Sequence, residues 1–270
     1  MGTSTKWRGP VKGGWTGAAG SVTRALNDLI KGTGSSNGGA VGGLPSASNL
    51  DNQTVESLGE KHLDALFDEL VKDSTTYGLA RATNRAALVL IDILAKLDAA
   101  GLAPLGSIHG ATAQDRQDWF VCTMIDQVTS APGSIADAAV RRASRRTAEE
   151  LLRKSPELRR RLDDGESGGP LHISRELFCL LYAHFFADAV AEFLRSVIAA
   201  KLKLTFPAIV LVDPTDRVVN WVSGKLVELV PTPCEESDAA EMVELFEVGH
   251  QLVTQTLPRV AARYAGGELS

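Results

Sequence analysis

The chain has 270 residues, 44% of them hydrophobic and 23% charged, with a formal net charge of -5. That is an ordinary globular composition, long enough for one large domain or two small ones. The mild acidity gives no global reason to bind nucleic acid or an anionic membrane. Cys122, Cys179 and Cys234 stand apart with no CxxC pair. Cys122 and Cys179 fall within apolar helical patterns, which predicts buried thiols in a reducing compartment. The N-terminus lacks an apolar signal core. The longest apolar run, 177–187, contains His184 and ends at Asp188, short of the roughly 20 residues of a membrane span. These features predict a cytoplasmic protein with no membrane partner.

Residues 1–55 differ from the rest. Twelve of the 25 glycines lie between Gly2 and Gly43, and such a stretch buries too little apolar area to offset its backbone entropy. Within it, SVTRALNDLIKG predicts one short helix over 21–31. Ser21 caps it, Val22, Leu26 and Ile30 line one face, and Gly32 ends it. A flexible tether over 32–49 follows.

From residue 56 the pattern turns helical and continues to about 265. Leu63, Leu66, Phe67 and Leu70 repeat at i, i+3, i+4, i+7. A helix over 75–100 ends in the loop GLAPLGSIHGAT. Another spans 113–129, and Ser134 caps the next, IADAAVRRASRRTAEELLRK, which stops before SPELRRRLDDGESGGP. Residues 174–202 form a long helix, apolar around much of its circumference and therefore central. FPAIVLV, 206–212, reads equally as a buried strand or a helix end. Asp213-Pro214 opens a further helix. A last one starts at Glu236 or Ser237 and runs to Tyr264, with Pro258 kinking or ending it. The fold class is all-α, an array of seven or eight helices behind a flexible Gly/Ser-rich leader, with short connections favouring antiparallel neighbours.

Few motifs carry chemistry. GTGSSNGG approaches a phosphate loop, but Asn37 occupies the third glycine position and no strand precedes it. His62, His109, His172, His184 and His250 form no HExxH pattern. His184 and Asp188 are i, i+4 neighbours, a spacing that suits a metal but more often marks a local hydrogen bond. Cys122 has no local nucleophile signature. No catalytic residue, metal site or cofactor motif emerges. The basic segment 141–161 holds nine cations against Glu149, Glu150 and Glu157. Arg141, Arg142, Arg145, Arg146, Arg159, Arg160 and Arg161 read either as a solvated helix face, with Glu149 partly neutralising Arg145 and Arg146, or as a docking patch for nucleic acid or an acidic partner. The acidic stretch Glu235, Glu236, Asp238, Glu241, Glu244 and Glu247 is a candidate mate for it.

The opening, MGTSTKWRGPVKGGW, is the most informative segment. Lys6 stands where a myristoylation signal needs Ser or Thr. Gly2 is small enough for Met1 to be removed, exposing a glycine amine. Thr3, Ser4 and Thr5 keep that end accessible, and Trp7 and Trp15 supply large anchors of the kind that fill pockets on a partner.

The start MGTSTKWRGP, the glycine-rich leader, CTMIDQVTSAPGSIADAAVRRA and HFFADAVAEFLRSVIAAKL together resemble the QatB family, the small component of the Qat anti-phage defence systems of bacteria. The resemblance implies an all-helical body and, as partners, an ATPase, a QueC-like protein and a TatD-like nuclease. It further implies that a QueC-like enzyme attaches a deazaguanine to Gly2 while reading Thr3, Ser4 and Thr5. On this reading the chain is a non-enzymatic defence component. A helical nucleic-acid-binding or adaptor protein using 141–161 is the alternative, and an enzyme around His184, Asp188 and Cys122 a third.

Overall fold

A computed structural model describes residues 14–33, 52–73, 76–129, 133–205, 214–238 and 241–266. They are all-α, with no strand among the described residues. In chain order the helices are α1 (Gly14–Thr33), α2 (Asn52–Lys72), α3 (Leu79–Ala100), α4 (Ala113–Val128), α5 (Ile135–Lys154), α6 (Pro156–Asp164), α7 (Arg175–Thr205), α8 (Pro214–Leu229), α9 (Pro233–Glu236) and α10 (Met242–Ala265). FPAIVLV, most of the expected tether and residues 1–13 lie outside the described residues.

The helix bounds follow local chemistry. At α4 and α5 the caps Thr112 and Ser134 form capping boxes with Asp115 and Asp137. The sequence reading missed α6, although Ser155 caps it, Pro156 sits in its first turn and Gly165 closes it at φ 74. The helix expected from residue 75 starts instead at Leu79, because Tyr77 and Gly78 both adopt left-handed φ, 60 and 68. That conformation is unfavourable for tyrosine, and packing on Trp15 and Phe193 holds it. α10 starts later than expected, at Met242, and does not end at Pro258. Pro258 is exposed, as is Thr254, whose carbonyl has no helical donor at the proline ring.

α7 is the central helix. It packs against α5, α8, α3, α10 and α1, and Phe178, Phe185, Phe186 and Phe193 along it are fully buried. By length and apolarity its stretch Arg175–Ala199 would suffice to cross a membrane, but 83% of the most apolar window is buried inside the protein. The period of its sequence already marks it as a core helix.

The cysteine reading is corrected. Cys179 and Cys234 form a disulfide joining α7 to α9, and only Cys122 is a free thiol, exposed rather than buried, among the described residues. The two partners lie 55 residues apart in sequence, a pairing no local motif announces. The cysteines therefore give no argument for a reducing compartment.

Candidate functional site

The N-terminal helix is anchored to the body. α1 begins seven residues before the expected helix and includes Trp15, which is 3% exposed. Its indole meets His62 and Tyr77 edge-on, with ring centroids 6.3 and 6.1 Å apart, and Tyr77 in turn packs on Phe193 of α7. A Cβ on Gly14 would stand 3.3 Å from Ala65, so α1 and α2 approach closely there. Ala18 and Ser21 continue the buried face, and the Ser21 hydroxyl donates to the Ala18 carbonyl at 2.6 Å. Ser21 is thus an interior residue of α1 and not its cap. Burial lowers the His62 pKa, while its Nδ1 lies 2.7 Å from the Leu58 carbonyl.

Trp15 is therefore a core residue and not an exposed anchor for a partner. Sequence position misled here: glycines surround it, but Gly14 is what allows α1 to lie close to α2. Gly2, Thr3, Ser4, Thr5 and Trp7 lie outside the described residues.

The arginines of the basic segment are engaged in ion pairs and hydrogen bonds, while Arg141, Arg142, Arg145 and Arg160 stay about half exposed or more. Arg142 and Arg146 project from α5 onto α7. Arg146 bonds Asp188 at 3.2 Å and Glu192 at 3.0 Å, and Arg142 donates to the Ser196 hydroxyl at 3.1 Å with Glu192 3.6 Å away. Arg195 of α7 joins the same cluster, 3.4 Å from Glu192, and pairs with Asp216 of α8. Ser223 of α8 donates to Asp188 at 2.7 Å. Asp188 and Glu192 are buried, and carboxylates out of water need such partners.

The remaining arginines are committed elsewhere. Arg141 pairs with Asp126 at 3.1 Å and Arg145 with Glu149 at 2.8 Å. Arg159 donates to the Leu152 and Arg153 carbonyls. Arg160 pairs with Glu157, Asp164 and Glu166. Arg161 bonds Glu157 and caps the carbonyls of Gly168, Gly169 and Pro170. Hydrogen bonds from Arg160 and Arg161 pull the Glu157 carboxyl down to about 2. Glu149 does not neutralise Arg146, which turns inward. In the acidic C-terminal stretch, Glu235 pairs with Arg263 and Glu236 with Arg259.

Asp188 is committed to Arg146 and Ser223, and no group of three or more potential metal ligands occurs among the described residues. Cys122 lies in an open groove with Gln117, Asp118, Arg145 and Glu149, and no histidine lines it. Sequence reasoning missed Glu192, Arg195 and Ser223. The i, i+4 spacing of Asp188 and Glu192 on an otherwise apolar helix was the signal that would have found the first of these.

Comparison of the chain with known protein families, with curated proteins and with solved structures finds no match.

Proposed function

We propose that the chain is a non-enzymatic component of a bacterial anti-phage defence system. Its N-terminal segment is presented to a QueC-like modifying protein with Gly2 as the acceptor, and its helical body docks partners, among them the system's ATPase and TatD-like nuclease, in the cytoplasm. The observation that supports this reading is the seating of α1 by Trp15. Twelve peptide links join Gly2 to Gly14, so the acceptor amine stays within roughly 40 Å of a fixed point on the body. A glycine α-amine, with a pKa of about 8, is partly neutral at pH 7, far more so than a lysine.

The alternative use of 141–161 as a nucleic-acid interface has weaker support, because Arg142, Arg146, Arg159 and Arg161 are spent on buried carboxylates and backbone carbonyls. Phage plating of a Gly2→Pro variant, expressed with its partner proteins, tests the proposal. Loss of protection with the variant still present at normal abundance is expected, and full protection would overturn it.

A further inference from the structure

The Cys179–Cys234 bridge joins the second turn of α7 to the short helix α9. Small domains that cannot build a sufficient core depend on such staples. This chain has no such need. Phe178, Phe185, Phe186 and Phe193 are fully buried along α7, and five other helices pack on it. The bridge therefore adds to the fold without carrying it, and what it fixes most directly is the seat of α9.

The two cysteines are unequal. Cys179 is 6% exposed and belongs to the core. Cys234 is half-buried, next to the exposed Glu235 and Glu236. A thiol arriving from solution therefore meets Cys234 first, and Cys179 is the sulfur that leaves.

Noncovalent contacts hold the same joint. Arg175, one turn before Cys179 on α7, donates to the Cys234 carbonyl at 3.0 Å and to the Ser237 carbonyl. Glu235 and Glu236 pair with Arg263 and Arg259 of α10, and Pro233 is buried. The Arg175 carbonyl lies 3.5 Å from Cys234 Sγ, an acceptor already in place for the S–H that reduction creates there. None of these contacts depends on the S–S bond, so they keep the two sulfurs close once it is open.

We propose that the Cys179–Cys234 bridge is a reversible redox joint, opened and closed by exchange with a small cellular thiol. A thiolate attacks Cys234 Sγ, the S–S bond breaks, and its electron pair passes to the Cys179 sulfur, which takes up a proton. A second thiolate attacks the small-thiol sulfur of the mixed disulfide and releases Cys234, which is protonated in turn. The bridge gains two electrons, and two small thiols leave as one disulfide; an excess of that disulfide drives the reverse. Opening leaves α9, with Glu235 and Glu236, to its noncovalent contacts, so this face loosens while α7 stays packed. Disulfides in a reducing compartment are usually of this transient kind. That last argument rests on the cytoplasmic placement proposed above, and the geometric ones do not.

Hydrogen exchange and thiol counting on the full-length chain, in a Cys122→Ser background and in glutathione buffers without denaturant, test it. With reduced glutathione in large excess, two thiols per chain should appear, counted by mass after rapid quenching. Excess glutathione disulfide should return the count to zero. On reduction the amides of 234–237 should exchange roughly tenfold faster, while those of 181–197 keep their protection. Cys179→Ser/Cys234→Ser should show the faster rate in either buffer. Arg175→Met should re-form the bridge about fivefold more slowly. A bridge that opens only in denaturant would overturn the joint, as would lost protection along α7 or an unchanged rate at 234–237. Re-formation no slower in Arg175→Met would remove the clamp and the proposal with it. None of these readings involves Gly2, so they stand or fall apart from the proposed modification.

Discussion

The guanidinium of Arg146 on α5 meets the carboxylate of Glu192 on α7 at 3.0 Å, with the Glu192 side chain only 1% exposed. A residue that the sequence places in a basic surface patch is thus a structural counter-ion for the central helix. Arg146→Met removes the closest cation from Glu192 and one from Asp188 together. Stripping a buried charge of its partner costs about 3–5 kcal/mol, and Arg142 and Arg195 beside Glu192 place this variant at the low end. Arg145→Met, at the adjacent residue but paired with an exposed glutamate, should leave the unfolding midpoint in place. Parallel urea titrations compare the two, and equal effects would contradict the assignment.

Among the described residues of α1, Trp15 is the largest buried side chain. Trp15→Ala should destabilise the fold by about 3–5 kcal/mol, the usual range for truncating a buried tryptophan. Because the indole also holds Tyr77 in its left-handed conformation, the variant should gain protease cuts in both α1 and the link between α2 and α3. A wild-type melting curve for Trp15→Ala would show that α1 contributes nothing to the body.

His62 gives the fold a pH dependence of known sign. Burial lowers its folded pKa below the ordinary 6.5, so in the window below 6.5 the unfolded chain binds the proton and the folded chain resists it. The stability from a neutral His62 is therefore full above that window and is lost as pH falls through it. Urea midpoints at pH 7.5 and pH 5.5 should drop more for wild type than for His62→Gln. Identical drops would remove His62 from the account.

The disulfide predicts thiol counts. Without reductant, one thiol per folded chain, Cys122, should react with an aromatic disulfide reagent, and three should react after reduction in denaturant. Replacing Cys179 and Cys234 by serine should lower stability by about 2–4 kcal/mol, the usual contribution of such a loop closure. Three reactive thiols in the unreduced native protein would contradict the bridge.

Periodicity made the helical class and the central role of α7 legible, and the cap at Ser134 and the helix start at Pro214 were legible because they act within four residues of where they are read. What stayed hidden depends on distance in the chain. Arg146 and Glu149 looked paired because they share a helix, whereas the true partners Asp188 and Glu192 come from α7. Trp15 looked like part of a tail because its neighbours are glycines, and only the approach of α1 to Ala65 shows why small residues are needed there. The Cys179–Cys234 pair and the left-handed Tyr77 have the same origin, a contact made by residues that are remote in sequence.

The central claim is that Gly2 is a modification acceptor on a seated N-terminal segment. Intact-mass and N-terminal peptide analysis of the chain, co-expressed with a QueC-like protein, tests it most directly. The account predicts loss of Met1 and a deazaguanine-sized adduct confined to Gly2, absent without that partner. A chain that has lost Met1 and carries an unmodified Gly2 in the complete system would contradict it.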